Sequence, residues 1–427
     1  MHDRPDDRWL LVSRPLIGPT LEGGPALLRE LIPELPPEPV SYFGDSRRPL
    51  RRPSLGDELI HVPRLPGPLA DSGANELLER GAIGAALLAA ERRRQPLHLF
   101  FDPGPLTERI AAGLVAASES RSTTNTSLAQ RTRGGARTLL SMASSLIRVQ
   151  RPRTDARRRP APVVQTLTCA TGLETCARML EALDAVVALS DDTRSRLLAA
   201  GLPARIVHRI HPGVPPGAAI ANPGELARRR AILYAGELDV GATDRLIELA
   251  RSLSEPAMRP WSLIIACRPD DIVDHHQRIR LGRELAGAIG SGRVELLGEV
   301  PDMRALQRRC AIQLWVADKV HRRLDLPLVL LDGLACGLAL VTLDRAPVRE
   351  LFTVAEQRGR EIGLRVDAAL GPSALVAAIT SLGERPELLL RRSEDAAALA
   401  RDAFSSARMA ADVAALHREL LARFAGG

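Results

Sequence analysis

Short apolar runs alternate with longer amphipathic stretches along almost the whole chain. The runs "RWLLVSRP" (8–15), "LHLFF" (97–101), "PVVQTL" (162–167) and "DAVVALS" (184–190) read as buried strands, each followed by a helical pattern. After the Pro- and Gly-rich passage "HPGVPPGAAIANPG" (211–224) the rhythm restarts with "AILYAGEL", "WSLIIACR", "RVELLGEV", "AIQLWVAD" and "LALVTL". Strands that are apolar throughout, rather than alternating, belong to parallel sheets covered by helices on both faces. Two such series on either side of a Pro/Gly linker predict an α/β protein of two doubly wound domains, divided at 215–224.

The most apolar passage, "RRLDLPLVLLDGLACGLALVTLD" (322–344), carries a carboxylate, Asp332, at its centre. A membrane span needs about 20 mostly apolar residues. Asp332 interrupts the run early, and Gly333 and Gly337 follow it. The pattern predicts a loop, a short helix beginning near Leu328, and the strand "LALVTL".

Ligands of an open parallel sheet bind outside the carboxyl ends of its strands, where helix N-termini offer free N–H groups to anions. The helix predicted after "AIQLWVAD" would present the amides of Leu328, Val329 and their neighbours beside Lys319, Arg322 and Arg323. That chemistry suits a diphosphate, and it equally describes a solvated loop with a cluster of charges. Asp332, one turn in, is either an acceptor for a ribose diol or an acid facing the dipole of its own helix.

Composition changes the picture only in places. The chain has 427 residues, 45% hydrophobic and 3% aromatic, enough to bury two cores. Lys319 is the single lysine among 58 basic residues, so the net charge of +7 reflects arginine usage as much as function. Such a charge favours phosphorylated ligands or anionic surfaces without identifying a nucleic-acid binder. The five cysteines are odd in number and lack paired CxxC spacing, so neither a disulfide framework nor a zinc site is indicated. The N-terminus has no long apolar leader, so a cytoplasmic protein is expected.

Segment 119–160 holds ten arginines against Glu119 and Asp155. It reads either as a solvated loop or as a basic amphipathic surface at the inner membrane face, and its lack of aromatics argues against nucleic acid. Asp271 and His275 stand four apart on a predicted helix, a spacing that more often marks surface residues than a metal pair.

In order, "DAVVALSDDTRSRLLAAGLPARIVHRIHPGVPP" (184–216), "ILYAGEL" (232–238), "RVELLGEVPDMRALQRRCAIQLWVAD" (293–318) and "LDLPLVLLDGLACGLALVT" (324–342) resemble the successive landmarks of glycosyltransferase family 4. "VSRPLIGPTLEGGPALLRELI" (12–32) is similar to that family's first strand, glycine-bearing loop and helix, and "ARDAFSSARMAADVAALHRELLARF" (400–424) to its closing helix. The resemblance implies the GT-B fold, two facing Rossmann-like domains. Residues 1–216 would form the acceptor-side domain and 217–403 the sugar-nucleotide donor domain, with 404–427 crossing back onto the first.

The implied activity is sugar transfer from a nucleotide-sugar co-substrate to a glycan, lipid-linked or small-molecule acceptor, with retained configuration and no metal or other cofactor. Peripheral membrane contact is expected of the basic segment, and no nucleic acid. The family's donor site carries two glutamates eight positions apart. Here the second falls on Asp332 and the first on Leu324, with Asp325 beside it. The family's phosphate-binding arginine falls on Glu237, and its lysine partner falls in "DVGATD", which holds no cation. Lys319, Arg322 and Arg323 would compensate, Gly236 would let the loop approach the donor, and Glu299 and Val300 would face its base. Gly23, Gly24, Arg14 and Glu22 are expected near the cleft on the acceptor side, and His98 and Gln165 at strand ends there. Leu324 and Glu237 define the alternative, an inactive GT-B scaffold that binds a glycan or protein partner.

Overall fold

The computed structural model describes residues 8–14, 16, 23–44, 50, 57–62, 74–104, 106–107, 110, 161–169, 172–217, 226, 228–268, 272–318 and 324–426. Strands β1 (Trp9–Val12), β2 (Val40–Gly44), β3 (Glu58–His61), β4 (Leu97–Leu99), β5 (Val163–Thr166), β6 (Ala185–Ala188) and β7 (Val207–Arg209) form one sheet, ordered β3-β2-β1-β4-β5-β6-β7. Strands β8 (Ala231–Ala235), β9 (Ser262–Ala266), β10 (Val294–Leu297), β11 (Ile312–Trp315), β12 (Ala339–Leu343) and β13 (Gly363–Val366) form the second, ordered β10-β9-β8-β11-β12-β13. Every pairing is parallel. In each sheet the order reverses after its first strand, between β1 and β4 and between β8 and β11. The crevice above such a reversal is where doubly wound sheets bind ligands.

Apolar runs became the central strands because parallel strands are buried on both faces; β1, β5, β6, β11 and β12 are buried throughout. The strands absent from the sequence reading have clear reasons to hide. β3 and β13 are half-exposed edge strands, and β7 is only three residues long. β2 is wholly buried but follows the Pro-rich turn "IPELPPEP". The passage 322–344 is a core element. Leu330, Leu331 and Leu334 on helix α9 (Leu328–Ala335) have no exposed surface, and β12 follows. Among the described residues no helix is long and apolar enough to cross a membrane.

Of the thirteen helices the structure describes in full, five others concern the site: α1 (Gly23–Leu31), α4 (Asp191–Ala199), α5 (Val240–Ser252), α10 (Arg349–Glu356) and α13 (Ser406–Ala425). The last helix crosses domains. Met409, Ala410, Val413, Leu416 and Leu420 of α13 bury themselves with Trp9, Leu27, Leu28 and Leu31 of the first domain. The preceding helix, α12 (Pro386–Ala403), packs its Leu389, Ala396 and Leu399 in the second core. Between them the chain runs beside the interdomain linker: Val214 N–H donates to Phe404 O (2.8 Å) and Ser406 N–H to Val214 O (2.9 Å). Gly217 is needed in that passage, because a Cβ there would stand 1.7 Å from Ala335 O.

A buried histidine pair pins α13. His98 Nδ1 lies 2.8 Å from His417 Nε2, and His98 Nε2 lies 2.7 Å from Thr166 Oγ1. The His417 ring stacks on Trp9, centroids 3.7 Å apart and planes 8° off parallel. His98 is therefore a core residue here, and Gln165 likewise, its Oε1 accepting from Thr107 Oγ1 at 3.2 Å. Burial lowers both histidines, His417 from 6.5 to about 3, and His417 depresses His98 further.

The unfolded chain takes up a proton below pH 6.5 that folded His417 refuses until about 3. Its contribution to stability is complete above 6.5 and is lost as pH falls toward 3. Urea unfolding at stepped pH is expected to show the midpoint falling across that window. The fall should be shallower in His417→Leu; an identical slope would show that the pair does not carry the effect.

Candidate active site

The candidate cleft is the crevice outside the carboxyl ends of the two sheets, bordered by the contacts that join the domains after β6, β7, β11 and β12. Helix α4 begins with Ser190 as N-cap, whose Oγ accepts from Thr193 N–H (3.0 Å). This N-terminus receives two carboxylates from the second domain. Asp325 accepts from Ser190 Oγ (2.9 Å) and from Thr193 Oγ1. Glu350 of α10 accepts from Asp191 N–H (2.7 Å) and pairs with His211 Nε2 (2.6 Å). Burial raises the Asp325 carboxyl, opposed by its two hydroxyl donors. Burial lowers His211, while its bond to Glu350 pulls the other way.

Asp191, His211 and Glu350 bring their ligand atoms within 4.8 Å of one another, spacing that would suit a metal ion. Arg209 already supplies a cation, 3.2 Å from Asp191 Oδ1 and 2.8 Å from His211 Nδ1. The group works as an ion-paired latch. Next to it Leu324, 3% exposed, is buried in the apolar cluster of the first domain with Ile210, and Leu328 packs against both domains.

Asp332 also has a partner. Its Oδ1 accepts from Arg304 Nε (2.9 Å) and Nη2, and Arg304 Nη2 reaches Pro215 O (3.2 Å). Burial raises the Asp332 carboxyl, opposed by Arg304, and Glu30 of α1 adds to the rise from across the domain boundary. Val329 lies behind it, its carbonyl accepting from Gln307 Nε2 at 2.8 Å. The α9 N-cap is Pro327, which offers no side-chain bond to the first turn.

At the reversal of the second sheet sits a charge cluster that the sequence reading did not single out. Asp318 Oδ1 is 2.8 Å from Arg245 Nη2 and 2.6 Å from Arg345 Nη1. Its N–H donates to Asp239 Oδ2 (2.7 Å), while Asp239 caps α5. Arg245 also donates to Val316 O at 2.9 Å. Two guanidiniums thus stand at the ends of β8, β11 and β12, held by one carboxylate. Arg345 directly follows the strand run "LALVTLD", and that position, at the carboxyl end of a parallel strand, was the available signal.

The other expected positions are distributed around this wall. Gly236 faces Trp315: a Cβ there would meet the ring at 2.7 Å, so the residue is small to seat the indole. Glu237 accepts from Tyr234 Oη through its backbone carbonyl. Glu299 lies 3.9 Å from Arg268, and Val300 packs with the apolar group around Leu233 and Leu306. On the first domain Gly23 opens α1 with φ +56, and a Cβ on Gly24 would stand 1.9 Å from Phe100 O. Arg14 is exposed and paired with Glu79 at 3.1 Å. His275 is exposed. Lys319, Arg322, Arg323, Glu22, Asp271 and segment 119–160 lie outside the described residues.

With this geometry the chain is similar over almost its whole length to several solved glycosyltransferases. It covers 97% of itself and all of HepE from Anabaena, solved with UDP and glucose, at TM-score 0.62 and 13% identity. Sucrose-phosphate synthase from Thermosynechococcus elongatus matches over 97% of this chain and 99% of that one, at TM-score 0.60 and 14% identity. The lipopolysaccharide outer core galactosyltransferase WaaB matches over 96% and 99%, at TM-score 0.54 and 12% identity. No protein-family model and no curated protein matches the sequence. The chain has the GT-B fold.

Removing the latch should loosen the domains. Glu350→Ala leaves Asp191 N–H and His211 without their acceptor, at a cost of about 1–3 kcal/mol. Leu324→Ala opens a cavity at the interface, at a cost of about 2–5 kcal/mol. Both are expected to lower the urea midpoint, and Glu350→Gln less than Glu350→Ala. Midpoints equal to wild type would show that these contacts do not hold the domains.

Proposed function

We propose that the chain is a glycosyltransferase that moves a sugar from a nucleotide-sugar donor to an acceptor across this cleft. The observation that carries the reading is the Asp318 cluster. Arg245 and Arg345 converge at the reversal point of a parallel sheet, where a diphosphate would take both guanidiniums from the single carboxylate. The UDP and glucose held by HepE are the class of ligand we assign here.

In this reading the departing diphosphate gathers charge as the glycosidic bond to the donor breaks. Arg245 and Arg345 oppose that charge, together with the first-turn amides of Leu328 and Val329. Asp332 faces the donor's ribose while sharing Arg304, and Glu299 and Val300 border its base. Gly23, Gly24 and Arg14 border the acceptor. Closure of the domains excludes water from the exchange. Retention of configuration and independence of metal belong to the proposal, supported by the resemblance to family 4. The acceptor is a hydroxyl-bearing glycan, lipid-linked sugar or small molecule.

Calorimetric titration with UDP, GDP and ADP tests it. One nucleotide is expected to bind in the micromolar range, and Arg245→Ala and Arg345→Ala are each expected to weaken it about tenfold or more, some 1.4 kcal/mol. Silence across all three from folded protein overturns the reading. It would favour the inactive scaffold, for which Glu237 and the buried Leu324 speak.

A further inference from the structure

The opposite face of the second domain carries a feature that sugar transfer does not use. An open cleft of about 470 Å³ lies at the N-terminal ends of β8 and β9, beside the turn that enters β11. Arg228, Arg229, Arg230, Arg308 and Arg309 line it, with Ala231, Pro260 and Ser262. β8 is five residues long, so the cleft stands about 17 Å from the Asp318 cluster at the strand's other end.

The chain as a whole has 58 basic and 51 acidic residues, nearly one acid per base. Even mixing would put acids among five arginines, yet among the described residues that line the cleft none is acidic. Glu295 approaches from outside, 3.5 Å from Arg309. Arg230 is held in place, its guanidinium 5.3 Å over the Trp261 ring and donating to Gly383 O at 3.3 Å. Burial raises the thiols of Cys310 and Cys336; Arg309 and Arg229 oppose the first rise, and Arg308 and Arg229 are among the cations opposing the second.

Like charges gathered round one cleft repel each other, and a multiply charged anion between them removes that repulsion. Guanidinium forks match phosphate oxygens two at a time. We infer that this cleft binds a phosphate-bearing anion of two or more charges, at a site separate from the donor cleft. The inference stands independently of the transferase reading. The phosphate belongs either to a free phosphate ester or to the headgroups of an anionic lipid surface.

Inorganic pyrophosphate titrated into the full chain probes the first source. Flotation with phosphatidylglycerol vesicles, against phosphatidylcholine vesicles, probes the second. Each is repeated with Arg308→Gln/Arg309→Gln, with Arg228→Gln and with Arg345→Ala; the exposed positions of Arg228, Arg308 and Arg309 leave the core untouched. With the donor-cleft contact removed by Arg345→Ala, residual pyrophosphate binding that the double variant weakens at least tenfold and Arg228→Gln also weakens supports the free phosphate. Flotation with phosphatidylglycerol alone, lost in the double variant, supports the headgroup. Binding unaffected by the double variant, or absent in both arms, overturns the inference.

Discussion

The architecture depends on one helix N-terminus. The first turn of α4 carries amide groups that its own helix leaves unpaired: Ser190 takes one, Glu350 of the second domain takes that of Asp191, and Asp325 accepts from the hydroxyls of Ser190 and Thr193. Carboxylates are favoured there by the helix dipole as well as by hydrogen bonding. The same Glu350 satisfies His211, so a single side chain ties α10 to both the α4 turn and the linker. With these carboxylates out of water, a shifted docking that kept them buried would leave polar groups unpaired on both sides, which makes the interface specific rather than merely apolar.

That constraint bears on the positions where the resemblance to family 4 leads one to expect donor-binding charge. Leu324 stands where the resemblance expects a glutamate, and it is buried in the first domain's apolar cluster. A charge at this point would sit unpaired in a hydrophobic contact. The neighbouring carboxylate, Asp325, faces α4. Glu237 is similarly absorbed into the turn after β8 through its carbonyl. In the proposed reading, the cations for a donor among the described residues are Arg245 and Arg345, and at rest they share the one carboxylate of Asp318. A ligand must therefore compete with an internal ion pair, which makes the electrostatics of this site an exchange of partners rather than a filling of empty charge.

Much of the fold was legible because buried parallel strands are apolar without alternation, and the linker is marked by its prolines and glycines. The half-exposed edge strands β3 and β13 lack that signature. The candidate site was legible only in part. Asp332 was conspicuous as a lone acid in an apolar run, but its partner Arg304 lies 28 positions earlier, and a pairing across that distance leaves no local pattern. Arg345 had a positional signal at the end of "LALVTLD", yet in a chain where nearly every base is arginine, residue type does not set it apart. Gly236 drew attention as a place where the loop could approach a ligand closely; what the structure brings against it is the indole of Trp315.

The remaining question is where such a molecule bends. Helix α13 is fixed to the first domain by its apolar face and by the His98–His417–Trp9 contacts, and α12 is fixed to the second. The chain passes between them at Phe404–Ser405, hydrogen-bonded to Val214 in the other crossing strand of chain. Among the described residues these two passages of backbone run side by side. Separating the domains at α4 would cost the buried contacts of Asp325, Glu350 and Leu324. A donor held by both walls would add to the same set of contacts, which couples occupancy of the cleft to closure without any further device.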